Sequence, residues 1–209
     1  MAINLMPYVF LLSVVDVLRF IAVFAVALLG WVAYRRTGRA VFAFSASGFT
    51  AMLIGIVLRY LAVIEANRNA LCLGCLGFES FFAYFYSSIM FMVLGAWFVA
   101  FAYVKRFNIV WVIAAMILAP LAVWIAFLSF PAFAAVLAII FGFIAIRTCI
   151  TARRTKRAFA TALAYTLIAV SFALESLVRY AAWLFPLGEV LGLLGFIMLA
   201  TVLLRVWLK

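Results

Sequence analysis

The chain has 209 residues, of which 73% are hydrophobic and only 10% carry a charged side chain. So few charged residues cannot cover the surface of a water-soluble protein of this size, which excludes a soluble fold. The 16 lysines and arginines outnumber the five aspartates and glutamates and give a net charge of +11. In a chain of this composition we attribute the positive charge to membrane topology and to attraction by anionic lipid headgroups. We therefore expect no nucleic-acid binding.

Long apolar runs recur along the sequence and are separated by short links. Each run supplies the roughly 20 residues that an α-helix needs to cross a bilayer, and none shows the short alternating segments of a membrane β-barrel. The sequence therefore predicts an all-α, polytopic membrane protein that forms one transmembrane domain over residues 1–209. The seven predicted spans are Pro7–Tyr34, Ala40–Ile64, Phe78–Val104, Asn108–Phe130, Ala132–Thr151, Ala158–Leu184 and Leu187–Val206.

Two arginine-rich turns in the sequence resemble each other. The segment 35–40, Arg-Arg-Thr-Gly-Arg-Ala, recurs 118 positions later at 153–158 as Arg-Arg-Thr-Lys-Arg-Ala. A second match relates 58–62 to 178–182. We interpret the chain as two parallel three-helix repeats joined by a linker helix, because an odd linking span gives both repeats the same orientation. The boundaries are about 7–106 for the first repeat, 108–130 for the linker helix and 132–209 for the second repeat.

The order of three spans, one span and three spans is similar to the topology of the SWEET sugar transporters, although the sequence has none of their Pro-Gln motifs. The basic turn is also similar to one in uncharacterised prokaryotic three-helix membrane proteins, where Arg-Arg-Thr-Gly-x-Arg joins the first two helices. Arg35 to Gly38 carry the first four positions of that pattern, within a region from Trp31 to about Ile64. The second turn departs from it at Lys156. This resemblance implies descent by repetition of a three-helix unit and brings no known activity.

Basic residues concentrate at one end of the predicted spans. Twelve of the 16 lie on that side, and the exceptions are Arg19, Arg59, Arg68 and Arg179. Because short cytoplasmic loops accumulate lysine and arginine, we predict a multi-pass cell-membrane protein with its N-terminus outside and its C-terminus in the cytoplasm. Anionic lipid headgroups are the expected partners of the basic inner face. The first apolar run is expected to remain as a span, since its basic residues follow the hydrophobic stretch.

Charged residues inside the predicted spans are the strongest site candidates, because an unpaired charge in lipid is strongly unfavourable. Asp16 and Arg19 are three positions apart on the first span. Glu175 and Arg179 are four positions apart on the sixth span. Each pair shares one face of its helix, so the sequence predicts that each can form an ion pair within its own helix.

Arg59 on the second span has no such local partner, so we expect it to pair between helices with Glu79 or Glu189. We interpret these charges as one polar cluster in the outer half of the membrane. The cluster either lines a water-accessible vestibule or serves only to fix the packing of the helices. Its predicted members are Asp16, Arg19, Arg59, Glu79, Glu175, Arg179 and Glu189.

The sequence contains three cysteines and no histidine. Cys72 and Cys75 form a Cys-x-x-Cys motif in the longest external loop, where a disulfide is expected and two free thiols or a redox pair are the alternatives. A dithiol-oxidising enzyme would need a second reactive pair, and Cys149 stands alone. Without imidazole ligands a zinc site and bis-histidine haem are not expected either, so we predict no metal and no cofactor.

Small residues on two spans predict where helices approach each other closely. Gly48 and Gly55 are seven positions apart on the second span, and Gly188, Gly192 and Gly195 follow helical spacing on the seventh. Glycine at such positions lets helix backbones meet. The seventh span has almost no polar residue before its basic end, which favours packing against lipid or another protein.

Two functions are compatible with these features, and neither is enzymatic, since no nucleophile motif or phosphate-binding loop occurs. The first is a non-catalytic integral membrane subunit or scaffold of a larger membrane assembly, with other membrane proteins as partners. The alternative is a small-solute transporter or channel built on the parallel three-helix repeats. A membrane sensor that signals through the basic face is a third, weaker hypothesis.

Overall fold

The computed structural model of the chain is entirely α-helical in its regular secondary structure over the part that it describes. The described residues are 6–71, 78–103, 121, 124, 130–152, 156–177, 180–181 and 183–208. The six helices are α1 (Met6–Thr37), α2 (Ala40–Leu71), α3 (Phe78–Ala102), α4 (Phe130–Ala152), α5 (Lys156–Ser176) and α6 (Leu184–Trp207). Each contains a stretch long and apolar enough to cross a membrane, as expected of a multi-pass membrane protein.

The described ranges thus contain six such helices, where the sequence predicted seven spans. The predicted fourth span, Asn108–Phe130, falls outside them except at Leu121, Trp124 and Phe130, which are helical positions. The other six predicted spans correspond one to one to the six helices.

The largest boundary error concerns the predicted sixth span, which was expected to continue to Leu184. The helix α5 ends at Ser176, and turns follow it: the Leu177 amide donates to the Leu174 carbonyl at 3.0 Å and the Tyr180 amide to the Leu177 carbonyl at 2.9 Å. The sequence after Ser176 remains mostly apolar apart from Arg179, and it contains no glycine or proline before Pro186, so the sequence pattern did not mark the end of the helix. The second helix differs in the opposite sense, because α2 continues through polar residues to Leu71, seven positions beyond its predicted end.

The helices pack as a closed ring in chain order, each against the next, and α6 returns to pack against α1. Among the described helices no other pair is in close backbone contact. Large side chains fill the centre of the ring, including the fully buried aromatic rings of Phe49, Phe141, Phe172 and Phe196. The interior is therefore formed by all six helices rather than by a subset.

Two crossings in the ring bring helix backbones into direct contact. Between α2 and α3, a Cβ atom added to Gly48 would lie 2.5 Å from the Gly95 carbonyl oxygen, and one added to Gly95 would lie 2.5 Å from the Gly48 carbonyl oxygen. Between α5 and α6, a Cβ on Gly195 would lie 2.9 Å from the Ala164 carbonyl oxygen. The close crossings predicted from the glycines of these helices are confirmed, and Gly95 is a further member that the sequence analysis missed.

The turn between α1 and α2 depends on Gly38, whose φ of +64° lies in the left-handed region. The Gly38 amide donates to the Tyr34 carbonyl at 2.8 Å, and the Thr37 hydroxyl donates to the Ala33 carbonyl at 2.8 Å. These bonds satisfy two carbonyls that the helix end would otherwise leave free. The glycine thereby lets the chain reverse within two residues.

We expect Gly38→Ala to reduce stability by about 1–2 kcal/mol, because a Cβ atom is strained in the left-handed conformation. The measurement is the midpoint of thermal unfolding of the purified protein in mild detergent. Gly142→Ala is the control, since Gly142 is helical and a Cβ there meets no atom within 4 Å. Equal midpoints for the two variants would contradict this account of the turn.

The first arginine-rich turn lies at the same end of the bundle as the start of α5, which carries the last residues of the second arginine-rich segment. Arg39 from the first turn and Ala158 from α5 line one cavity. Arg147 and Arg205 lie near the ends of α4 and α6 that point the same way. We call this the basic end, defined by the described residues Arg35, Arg36, Arg39, Arg147 and Arg205.

Candidate functional site

A buried arginine on α1 joins two carboxylates from α5 and α6 near the end of the bundle opposite the basic end. Arg19 is only 6% exposed, and its Nη1 donates to Glu189 Oε2 and, at 3.5 Å, to Glu175 Oε1. Glu175 and Glu189 are 2% and 1% exposed. We call these three residues the ion triad. Because its members come from three helices, the triad ties the two ends of the chain together in space.

Further contacts stabilise the triad in its apolar surroundings. The guanidinium carbon of Arg19 lies 5.2 Å from the ring centroid of Phe172 and 5.8 Å from that of Phe196, which are cation–π contacts. The Ser171 hydroxyl donates to Glu175 Oε1 at 3.2 Å. A Cβ atom on Gly192 would lie 2.6 Å from the Ser171 hydroxyl oxygen, so the absence of a side chain there makes room for this bond.

The predicted pairing within the first helix is wrong. Arg19 forms its ion pairs with α5 and α6 and none with Asp16 on its own helix. The two carboxylates on the neighbouring helices are almost completely buried, so they depend on the guanidinium more than the half-buried Asp16 does. Helical spacing alone could not reveal these partners.

The other predicted cluster members have different outcomes. Arg59 forms no ion pair within 4 Å with another described residue, and its predicted partner Glu189 is bound to Arg19. Asp16 and Arg59 instead line one cavity next to the triad. Arg179 and the side chain of Glu79 fall outside the described part of the structure, so their predicted pairs stay predictions.

That cavity, which we call the triad cavity, has a volume of about 170 Å³. It contains the phenol of Tyr60, whose hydroxyl oxygen is buried without a hydrogen-bond partner among the described residues. Its lining residues are Asp16, Arg19, Met52, Ile56, Arg59, Tyr60, Val63, Met92 and Phe196.

A second, larger cavity of about 410 Å³ lies at the basic end, and we call it the basic-end cavity. It is surrounded by α2, α3, α4, α5 and α6. The Tyr103 and Tyr165 hydroxyl oxygens are 3.1 Å apart in its wall. Its lining residues are Arg39, Val41, Phe42, Ser45, Phe49, Tyr103, Thr148, Ala158, Thr161, Tyr165, Leu199, Val202 and Leu203.

One layer of aromatic side chains separates the two cavities. Phe49 lines the basic-end cavity and Phe196 the triad cavity, and their rings meet edge to face with centroids 6.1 Å apart. Phe141 and Phe172 stack beside them with centroids 5.7 Å apart. We call these four residues the aromatic layer. The described residues thus form these two recesses near opposite ends of the ring, with the aromatic layer between them.

The helix α6 contributes more to the interior than the sequence suggested. Its apolar character favoured packing on lipid or a partner, but Glu189, Gly192, Gly195 and Phe196 are all buried inside the ring. The spacing of those small residues was visible in the sequence. Glu189 lies on the same inward face of α6 as these small residues, and the sequence analysis did not connect it with them.

Among the described residues, no group of three or more histidine, cysteine, aspartate or glutamate side chains is placed to hold a metal ion. Cys149 is an exposed free cysteine on α4. Cys72 and Cys75 fall outside the described residues, so their expected disulfide stays a prediction.

The chemistry of this site is that of a buried, charge-rich recess next to a layer of aromatic side chains. Its carboxylates can hold protons and its cavities can hold small molecules, whereas no described constellation resembles a nucleophile with its base. No protein-family model, curated protein or solved structure matches the chain.

Proposed function

We propose that the protein is a small-solute transporter or channel built on two parallel three-helix repeats. The observation that carries this proposal is the pair of cavities on either side of the aromatic layer, enclosed by one ring of helices. A scaffold has no need of recesses near both ends of its interior. Alternating opening of such recesses is the usual way in which repeat-built transporters move a solute.

The pattern of buried residues supports the repeats. Positions on α1 and α4 that are 118 apart, the separation of the two arginine-rich turns, face the interior together. The buried residues on α1 that have a buried counterpart on α4 are Val15, Arg19, Ala22, Val23, Val26, Ala27 and Gly30. Their counterparts on α4 are Phe133, Leu137, Ile140, Phe141, Ile144, Ala145 and Thr148.

The close crossings support the same correspondence for the other helices. A Cβ on Gly95 would meet the Gly48 carbonyl and Met52, and a Cβ on Gly195, 100 positions later, would meet the Ala164 carbonyl and Ile168. Ala164 and Ile168 each follow their counterparts on α2 by 116 positions. The sequence match between 58–62 and 178–182 gives a separation of 120 for α2 and α5. The packing gives 116, which is four residues less, or about one helical turn.

By that packing correspondence Arg59 is the counterpart of Glu175, whereas the sequence match had paired it with Arg179. Arg19 likewise corresponds to Leu137 and Glu189 to Ile89. The charges are therefore concentrated in one place instead of being duplicated. We infer that the repeats share a packing scheme and have diverged in chemistry.

The connection between the repeats supports the predicted linker helix at about 108–130. Tyr103, at the end of α3, lines the basic-end cavity, whereas α4 begins at Phe130 and reaches the basic end only at its other terminus. The chain between them must therefore join opposite ends of the bundle. The predicted span at about 108–130 would meet this requirement and would give the seven spans that the sequence predicts.

The basic-end cavity favours a small organic solute with few polar groups. Its volume lies in the range of about 300–1,000 Å³ that is usual for small-molecule sites. Most of its lining is apolar, and the polar groups are one guanidinium, that of Arg39, and the hydroxyl groups of Ser45, Tyr103, Thr148, Thr161 and Tyr165. Such a lining can bind a mainly apolar molecule and orient a single polar group.

We expect Thr161→Trp to abolish solute flux, because the indole would fill the cavity. The measurement is swelling of proteoliposomes in iso-osmotic solutions of small polyols, sugars, amino acids and monocarboxylates. Leu163→Trp is the matched control, since Leu163 is on the same helix and faces outward with 41% exposure. Wild-type flux no faster than that of protein-free liposomes for every solute, or equal flux in both variants, would contradict the proposal.

The first hypothesis from the sequence, a subunit or scaffold, has a different expected result. Such a protein would co-purify from its native membrane with other chains at fixed stoichiometry and would give no flux when reconstituted alone. The orientation also stays a prediction, with the basic end in the cytoplasm and in contact with anionic lipid headgroups. Labelling of Cys149, near the basic end, by a membrane-impermeant maleimide on intact cells would contradict that orientation.

A further inference from the structure

We propose that the basic-end cavity binds a small amphiphilic monoanion, whose anionic group pairs with Arg39 and whose apolar part lies toward the aromatic layer. This inference rests on the proposed function, since it names the class of solute for the same cavity. The single polar group of the solute is then negatively charged, and one arginine selects it. Aromatic and short-chain monocarboxylates are the simplest molecules of this class.

The guanidinium of Arg39 lines the cavity and has no partner among the described residues. Arg39 is exposed and directly precedes α2, so it lies at the outer end of the cavity. Its backbone amide donates to the Thr37 hydroxyl at 3.4 Å, but its side chain forms no hydrogen bond or ion pair with another described residue. The planar guanidinium fork matches the two oxygens of a carboxylate. It is therefore free to bind one that enters the cavity.

The chain has no acidic side chain that could neutralise this charge. All five acidic residues belong to the described helices and lie away from the basic end. The helices α2 and α5 begin at that end and carry their glutamates near their other termini, whereas α1, α3 and α6 end there and carry their acids in their first halves. Segments 104–129 and 153–155 contain only basic and uncharged residues. The negative charge that meets Arg39 therefore comes from outside the chain. The five acidic residues are Asp16, Glu65, Glu79, Glu175 and Glu189.

The uncharged polar groups of the lining also favour a ligand that accepts hydrogen bonds. The Tyr103 hydroxyl donates to the Tyr165 hydroxyl at 3.1 Å. Two hydroxyls joined by one hydrogen bond leave one hydroxyl hydrogen unused, and no described residue accepts it. The Ser45 hydroxyl likewise forms no hydrogen bond with another described residue. These O–H groups can donate to the oxygens of an anion.

The shape of the cavity fits a molecule with its charge at one end. Arg39 and Phe49 mark the two ends of the cavity along α2, and ten helical residues correspond to about 15 Å. Apolar side chains, such as those of Phe42, Leu199 and Leu203, line the space between them. Phe49 belongs to the aromatic layer. A hydrocarbon chain or an aromatic ring can therefore lie against the layer while its carboxylate remains beside Arg39.

The test measures binding of radiolabelled benzoate to the purified protein in nanodiscs of zwitterionic lipid, with binding to empty nanodiscs subtracted. Unlabelled benzoate and hexanoate should displace the label. Benzyl alcohol and 1-hexanol are similar in size and uncharged, and they should bind about 10- to 100-fold more weakly, because they lose a hydrogen bond between two charged groups. Equal displacement by acid and alcohol, or no benzoate binding, overturns the proposal.

Variants of the first arginine-rich turn test the role of Arg39. Arg39→Gln should lower the affinity for benzoate by about 10- to 100-fold, and Arg39→Lys should retain part of it, because it keeps the charge. Arg35→Gln is the matched control, since Arg35 belongs to the same turn and does not line the cavity. This control should bind benzoate as the wild type does. Equal losses in the two glutamine variants overturn the proposal, because the attraction would then come from the basic end as a whole. Thermal unfolding midpoints check that each variant is folded.

Two further measurements identify the occupant and separate this inference from the proposed function. Nanodiscs that contain anionic lipid should leave the affinity for benzoate unchanged. Loss of benzoate binding in them would show that a lipid headgroup occupies the cavity and would overturn the proposal. Benzoate binding without flux of any solute removes the proposed function alone, whereas flux of neutral solutes without benzoate or hexanoate binding removes this inference alone.

Discussion

Arg19→Leu is expected to destabilise the folded protein by about 3–5 kcal/mol, because removal of one partner leaves buried charge without compensation. The substitution removes both ion pairs of Arg19 and its contacts with Phe172 and Phe196. The measurement is equilibrium unfolding in mixed detergent micelles, followed by helical circular dichroism.

A compensating variant separates this electrostatic effect from a simple loss of packing. Combining Arg19→Leu with Glu175→Leu and Glu189→Ile removes all three charges, and buried ionic groups can often be replaced by apolar ones without loss of stability. Leu137 and Ile89 already occupy the proposed counterpart positions of Arg19 and Glu189. We expect this variant to recover most of the lost stability. A change below about 1 kcal/mol for Arg19→Leu alone, as found for exposed salt bridges, would contradict the burial of the triad.

Gly48→Ala is expected to reduce stability by about 3 kcal/mol, at the upper end of the effects of overpacking. The added Cβ would lie 2.5 Å from the Gly95 carbonyl oxygen and 2.9 Å from the Val99 amide nitrogen, and backbone atoms cannot rotate away as a side chain can. The two helices must therefore separate. The measurement is the same unfolding equilibrium, together with the elution volume of the variant on gel filtration.

Two further glycines make this a graded series. A Cβ on Gly30 would lie 3.1 Å from the Ala46 Cβ, which demands a small adjustment, and one on Gly142 would meet nothing within 4 Å. We expect the stability of Gly30→Ala to lie between those of Gly48→Ala and Gly142→Ala. The stability of Gly142→Ala should equal that of the wild type or exceed it by up to about 1 kcal/mol. If the losses of stability do not follow this order, the distance between the helices does not determine the cost of adding a side chain at these glycines.

The helices of this fold are predictable because each apolar run is about as long as a bilayer requires, or longer. The ends of the helices are harder to predict, since the sequence after Ser176 stays mostly apolar apart from Arg179 and α2 continues through polar residues. Glycine spacing did predict the close crossings, because backbone contact requires a missing side chain whatever the fold. Local patterns thus determine where helices form and which faces can touch.

The sequence predicted which residues form the candidate site, but it did not predict which of them form ion pairs with each other. A charge within a span signals a buried polar contact, so Arg19, Glu175 and Glu189 could be named. Which carboxylate meets which guanidinium depends on closure of the ring, which brings α6 back to α1. The aromatic contacts of Arg19 could not be foreseen either, since 23 phenylalanines give no preference for two of them.

Closure of the ring creates two joints between its halves, and they differ in kind. At the joint between α1 and α6, Arg19 on α1 forms an ion pair with Glu189 on α6. It forms a second ion pair with Glu175 on α5. At the joint between α3 and α4 the described helices pack less extensively, and no ion pair joins their described residues. Relative movement of the halves should therefore be smallest at the joint held by Arg19 and largest at the joint between α3 and α4.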